Sequence, residues 1–293
     1  MERKDKIDAL GAIVLVLIMM TLGINQVAIK LVNEGMAPVF QASLRSLFAT
    51  PLILGFCLWR GLEIPFNKAI LIPGLITGTL FAAEFALLFE AMEYTTVARA
   101  SIFFYTMPFW VAAVAHFMIP GEKLSPIRIL GLVLACAGVV VALAGGSSSA
   151  GDNAIIGDLM ALVGATGWAG IALIARITAF STVKPAAQLF YQLSVSSILL
   201  LPFALFIGDT FRDPTAFHWT IFAAQVLIVV CIGFLSWFWV LSIYPASDMA
   251  SFSFLAPLFG VLFGWLILGE EITWTIIIAL TLVAAGIVFV NRR

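Results

Sequence analysis

The sequence predicts an all-α membrane protein: ten transmembrane helices built as two inverted five-helix repeats. Three observations carry this expectation. Hydrophobic residues fill 62% of the 293 positions and charged residues only 11%, against roughly a quarter charged in a soluble domain. Short polar or Pro/Gly breaks cut the chain into apolar runs of about 20 residues, the length that crosses a bilayer core as helix. The second half of the chain repeats landmarks of the first, 146 to 149 positions later.

The expected spans are 9–32, 38–59, 69–93, 97–119, 127–145, 155–179, 186–208, 217–241, 247–268 and 273–290. The first is too long for a signal-peptide core of about 7–15 residues, and it ends in Asn25, Gln26 and Lys30 rather than a small-residue cleavage site. It is read as a retained helix. The second span carries Arg45 and the third Glu84, the two charges expected deepest in the bilayer. With about 1.5 Å of rise per residue, both lie roughly 12 Å below the same membrane surface. Two readings stand for them. Glu84 binds a substrate amine or a coupling proton while Arg45 tunes it or meets a carboxylate, or the two form a fixed structural bridge.

The fourth and ninth spans carry mid-helix prolines, Pro108 and Pro257, each followed by a Gly-Glu pair. Proline removes a helix hydrogen bond and bends the chain, so both are hinge candidates, with a fixed bend as the alternative. Asn25, Gln26, Tyr105, Trp168 on the sixth span, Ser236 and Trp237 on the eighth, and Phe252 on the ninth lie near span centres. Buried amides need partners, and tryptophan ordinarily prefers the interface, so these residues are the candidate substrate contacts. Gly131, Ala135 and Gly138 of span five, with Ala279 and Gly286 of span ten, read as close packing within the chain or as the face of a homodimer. Glu122 and the Glu270/Glu271 pair are expected to cap the helix that follows each. Arg99 and Asp248 occupy matching places in the two halves, either as gate charges or as solvated interfacial residues.

Arginine and lysine set the orientation. With the N-terminus cytoplasmic, eleven of the fifteen basic residues fall on inside ends, and only Lys30, Arg45, Arg99 and Arg212 do not. Ten spans return the C-terminus to the same side. The break at residues 145–153, Gly-Gly-Ser-Ser-Ser-Ala-Gly-Asp-Asn, separates a first half at 1–145 from a second at 155–293, with 146–154 as a flexible linker.

The repeat is legible residue by residue. Ala98-Arg-Ala-Ser-Ile-Phe-Phe-Tyr-Thr-Met-Pro108 answers to Ser247-Asp-Met-Ala-Ser-Phe-Ser-Phe-Leu-Ala-Pro257, Gly11 to Gly157, and Lys30 to Arg176. Five spans per half invert the second copy, and inverted repeats suit alternating access to a midplane site. The arrangement resembles the drug/metabolite transporter superfamily in its EamA-type form. The resembling residues are Gly23-Ile-Asn-Gln-Val-Ala-Ile-Lys30, Ser43-Leu-Arg45, Ala91-Met-Glu-Tyr-Thr-Thr96, Pro108, Gly121-Glu-Lys-Leu124 and Trp168. Leu22 departs from the pattern, standing where that family often has tryptophan. The resemblance implies export of small metabolites such as amino acids, without ATP, and the absence of a Gly-x-x-x-x-Gly-Lys-Ser/Thr loop agrees.

The sequence-level expectation is therefore a secondary transporter in a bacterial inner membrane, with amino acids, aromatic or hydrophobic, as the leading substrate class. Its expected partners are a small-molecule substrate and the lipid bilayer. A vitamin, nucleotide-linked compound or cationic drug is the alternative cargo. No nucleic-acid partner, metal or cofactor is expected, since there is no basic patch and no ligand cluster. The three cysteines are scattered among apolar residues, and His116 and His218 lie near helix ends without a nucleophile beside them, so an intramembrane enzyme is the remote alternative.

Overall fold

Apolar helices whose backbone groups are satisfied internally are what a lipid solvent permits, and the described residues contain helices and their connections. The structure is a computed structural model and describes residues 7–119, 123–145, 151, 153–244, 249 and 252–291. Most of the linker, the charged termini, Glu122 and Asp248 lie outside these residues.

The helices run α1 Ala9–Asn33, α2 Pro38–Trp59, α3 Lys68–Tyr94, α4 Val97–Phe104, α5 Met107–Met118, α6 Pro126–Ala144, α7 Ala154–Ile177, α8 Pro185–Ile207, α9 Ala216–Ala224, α10 Phe234–Ile243, α11 Leu255–Leu268 and α12 Trp274–Val290. A π-helical stretch, Gln225–Gly233, joins α9 to α10. Eight spans are long and apolar enough to cross a membrane, counting α4–α5 as Val97–Met118 and the α9–π–α10 run as Ala216–Trp237. Alpha 11 and α12 are shorter apolar helices. The segments start where the sequence has helix-starting chemistry. Asp8, Asn67, Thr96 and Thr273 cap α1, α3, α4 and α12 with side-chain oxygens, and Pro38, Pro126 and Pro185 open α2, α6 and α8.

Contacts between helix ends define two ends of the bundle. Asp8 meets Tyr244 at what we term the near end, where α1 begins and α10 stops. Lys30 meets Thr95 and Glu270 at the far end. Helix α12 runs back along α6, with its last turn against the first turn of α6, and both chain ends therefore lie at the near end. The seam between α6 and α12 uses the small residues singled out above. A Cβ on Gly131 would stand 2.8 Å from the Val290 nitrogen, and one on Gly286 would stand 2.8 Å from the Gly131 carbonyl. These residues thus close helix on helix within one chain.

Two spans are not the continuous helices the hydropathy suggested. The fourth breaks at Tyr105–Thr106, just before Pro108. The Thr106 hydroxyl donates to the Phe103 carbonyl at 2.6 Å, occupying an acceptor that the break releases. The ninth turns through residues 252–254 before α11, three residues ahead of Pro257. Proline therefore sits inside the first turn of each resuming helix, where its missing N–H leaves nothing unsatisfied. The sequence places a bend at both prolines; the structure interrupts the helix before Pro108 and shows a turn at residues 252–254 before Pro257.

Candidate functional site

Where the interrupted span meets α1, α3, α7 and α8, the bundle leaves two adjoining cavities. The larger, about 370 Å³, is lined mostly by apolar groups, among them Leu22, Pro108, Trp168, Val229 and Trp237. It reaches Ala175 at the end of α7 and Pro185 at the start of α8, and so extends toward the near end. The smaller, about 80 Å³, lies deeper and contains Asn25, Gln26, Arg45 and Glu84. Tyr105, Trp168 and Gln192 are among the residues shared by both walls.

Sequence explains how these side chains come together. Glycines on α7 face α3 at Glu84: a Cβ on Gly164 would lie 3.3 Å from the Glu84 carbonyl and one on Gly167 3.4 Å from the Glu84 Cβ. Close approach of the two helices walls the carboxylate off, and Glu84 is 2% exposed. Arg45 is equally buried, on the facing side of α2. Its guanidinium lies over the Phe85 ring at 3.9 Å and the Phe89 ring at 4.8 Å, which holds the cation against π faces. Trp168 stacks on Phe104 with centroids 5.2 Å apart and planes 23° apart, fixing its indole at the junction of the cavities. The break at Tyr105–Thr106 brings Tyr105 to the same junction.

The polar groups of the smaller cavity are not used up by the protein. Arg45 Nε and Nη2, Glu84 Oε2, Asn25 Oδ1 and Gln26 Oε1 have no hydrogen-bond partner. Nor do Arg45 and Glu84 meet in an ion pair. The fixed bridge considered from sequence is therefore not formed. Burial of an unpaired charge costs several kcal/mol, so this cavity holds unsatisfied donors and acceptors of both signs facing one small space.

Other expectations fall differently. Trp237 lines the large cavity, but Ser236 and Phe252 line neither; Phe252 packs against the main apolar core instead. Pro108 reaches the cavity wall, whereas Pro257 is buried in α11. Arg99 is not an interfacial, solvated residue. It is 3% exposed and donates through Nε to both oxygens of Asp158, at 3.2 and 3.1 Å, and through Nη1 to the Gly145 carbonyl. Its match Asp248 lies outside the described residues. Glu270 does not cap the helix that follows it. Its carboxylate receives the Val97 and Ala98 N–H groups, at 2.7 and 3.0 Å, and so caps α4 from across the bundle.

Sequence reasoning missed Gln192, Asp158 and Gln41. Gln192 sits at the neck between the cavities. Gln41 donates to Gln225 Oε1 at 3.0 Å and pins the π-helical stretch to α2. The signal that flagged Asn25 and Gln26, an amide inside an apolar span, is present at Gln41, Gln192 and Gln225 too. No group of His, Cys, Asp or Glu among the described residues could hold a metal.

Comparison with known proteins follows from this geometry. The EamA-like transporter family profile matches residues 9–144 and again residues 155–292. A protein of Escherichia coli strain K12, "Probable amino-acid metabolite efflux pump", is 30% identical over 98% of this chain and 94% of its own length. "Uncharacterized transporter YoaV" of Bacillus subtilis is 28% identical over 92% of each chain. One solved crystal structure, 19% identical, superposes with a TM-score of 0.65 over 96% of this chain and 94% of its own, which is a likeness of fold.

Proposed function

The chain belongs to the EamA-like transporter family, and from that premise we propose that it exports amino acids with apolar or aromatic side chains across a bacterial inner membrane. The observation that carries this reading is the pair of unpartnered opposite charges, Arg45 and Glu84, facing one small cavity beside a large apolar one. A zwitterion answers both: its carboxylate takes the Arg45 guanidinium and its ammonium takes Glu84, with Asn25 and Gln26 oxygens as further acceptors. Its side chain extends past Gln192 and Tyr105 into the chamber beside Trp168 and Trp237. A polyanion would leave most of its charge unanswered, since Arg45 is the cation in the cavity.

In this reading the two halves are inverted copies that exchange roles across the midplane, the breaks at Pro108 and Pro257 serve as hinges, and both termini are cytoplasmic. The conformation described is then the inward-accessible one, with the far end closed. Transport needs no ATP and no catalytic residue.

Uptake into proteoliposomes, screened over labelled amino acids with and without an imposed pH gradient, tests the proposal. Saturable movement of phenylalanine, leucine or their relatives is expected. Absence of movement for every amino acid would overturn the substrate class and turn the search to vitamins, nucleotides and cationic drugs.

A further inference from the structure

Helix α8 carries three polar side chains one turn apart along one stripe, Gln188, Gln192 and Ser196. The outer two are spent on the protein. Gln188 Nε2 donates to the Phe180 and Val183 carbonyls at 2.9 and 3.0 Å, holding the turn ahead of α8. Ser196 Oγ lies 3.1 Å from Ser46 Oγ of α2. Gln192, between them, makes no hydrogen bond to any described residue.

The rotation of α8 is fixed from its other side. Gly74 and Gly78 of α3 let it close in: a Cβ on Gly74 would stand 2.7 Å from the Tyr191 ring, and one on Gly78 2.5 Å from Val195 Cβ. The Tyr191 hydroxyl donates to the Pro65 carbonyl at 2.6 Å. With Tyr191 and Val195 set against α3, Gln192 falls in the wall of both cavities, buried at their neck.

The neck is otherwise aliphatic or aromatic. Leu22, Ile171, Val229 and Phe234 share it, with the rings of Trp168 and Tyr105. Among the residues common to both walls, Gln192 is the one carboxamide, with two N–H donors and a carbonyl acceptor. Water satisfies such an amide when the neck is wet, and a passing side chain displaces that water. An aliphatic chain returns nothing and leaves the amide unpaired in an apolar wall. An aromatic ring offers its π face to an amide N–H. Binding sites discriminate weakly by bulk and strongly by the polar groups that the wrong substrate leaves unpaired.

We propose that Gln192 is the specificity residue of this cavity and selects amino acids with aromatic side chains over aliphatic ones of equal bulk. The inference rests on the transport reading, in which Arg45 and Glu84 hold the carboxylate and ammonium while the side chain leaves through the neck. Phenylalanine and cyclohexylalanine test it, since they match carbon for carbon and differ in the π face. Each competes, unlabelled, against labelled phenylalanine. Competition is read as uptake into proteoliposomes and as equilibrium binding to detergent-purified protein, so a variant that binds without turning over is still read.

In the unmodified protein, phenylalanine should compete at about a tenfold lower concentration than cyclohexylalanine, because the saturated ring strands the amide. Gln192→Leu should bring the two within about twofold, mainly by strengthening cyclohexylalanine. A residue that merely shapes or wets the neck would weaken both competitors alike and keep their ratio, and that result would overturn the proposal. Equal competition in the unmodified protein would overturn it too. If phenylalanine neither binds nor moves, the transport reading falls and takes this inference with it. If phenylalanine binds and moves with one ratio in both proteins, the inference falls alone.

Discussion

Charge placement decides what single residues do in this chain, and two buried arginines show the range. Arg99 is matched: Asp158 takes it twice, and both are removed from solvent. Losing one partner of such a pair leaves the other buried alone, at a cost of about 3–5 kcal/mol, while exchanging both for apolar groups is often neutral. Asp158→Asn should therefore lower the thermal midpoint in detergent clearly, and Arg99→Met with Asp158→Leu should recover most of the loss. Equal midpoints for the single and double variants would remove the pairing argument. Arg45 makes no ion pair, its guanidinium resting on Phe85 and Phe89 with no hydrogen bond to Glu84. Glu84→Gln keeps the shape and removes the charge; uptake should fall at least tenfold with the midpoint unchanged. Wild-type uptake in that variant would take Glu84 out of the mechanism. Sequence could find Arg45 and Glu84 because depth along a helix follows from counting residues. It could not find Asp158 as the mate of Arg99, because which spans touch is not written in either span's own pattern.

Among the elements, the interrupted span is where local chemistry and packing meet. Proline marks the place, but the break at Tyr105–Thr106 is also held by the Thr106 hydroxyl on the Phe103 carbonyl. Pro108→Ala restores a donor to the first turn of α5 and lets the two short helices fuse toward one rod. Turnover should fall about tenfold, equivalent to about 1.4 kcal/mol in the barrier, with substrate affinity less affected. Pro257→Ala should act the same way on the span through α11. Unaltered turnover in both would leave a static bend. The π-helical stretch in the eighth span gave no such warning, since its sequence, Gln225-Val-Leu-Ile-Val-Val-Cys-Ile-Gly233, is as apolar as any regular helix. Its first residue, Gln225, accepts from Gln41 of α2, a tertiary contact that the segment's own pattern does not announce. At the α6–α12 seam the cause is local and was legible: small residues at helical spacing invite close backbones. Gly138→Leu should separate the pair, because even a Cβ there would stand 2.8 Å from Val283 Cγ2.

For the whole molecule, the question is which end of the bundle faces the cytoplasm, because that decides which side the open cavity meets. The near end carries the first residues of α1, the last of α12, and the loops bearing Arg60, Lys68, Lys123, Arg128, Arg176 and Lys184. The far end holds Lys30, Arg99 and Arg212, each engaged with an acidic side chain: Glu270, Asp158, and both Glu93 and Asp209. Basic residues in short loops resist translocation, and the three at the far end are each paired with an acidic side chain. That asymmetry was open to counting from sequence alone, but the neutralising partners were not, because they come from helices distant in the chain. In the proposed orientation, the large cavity's near-end reach, at Ala175 and Pro185, lies on the cytoplasmic side. An exporter loading its substrate from inside needs that arrangement. Single cysteines at exposed positions read it directly: Glu34→Cys at the far end and Ser181→Cys at the near end. In intact cells an impermeant maleimide should label Glu34→Cys and spare Ser181→Cys until the membrane is permeabilised. The reverse pattern would put the open cavity outside and overturn the proposed orientation.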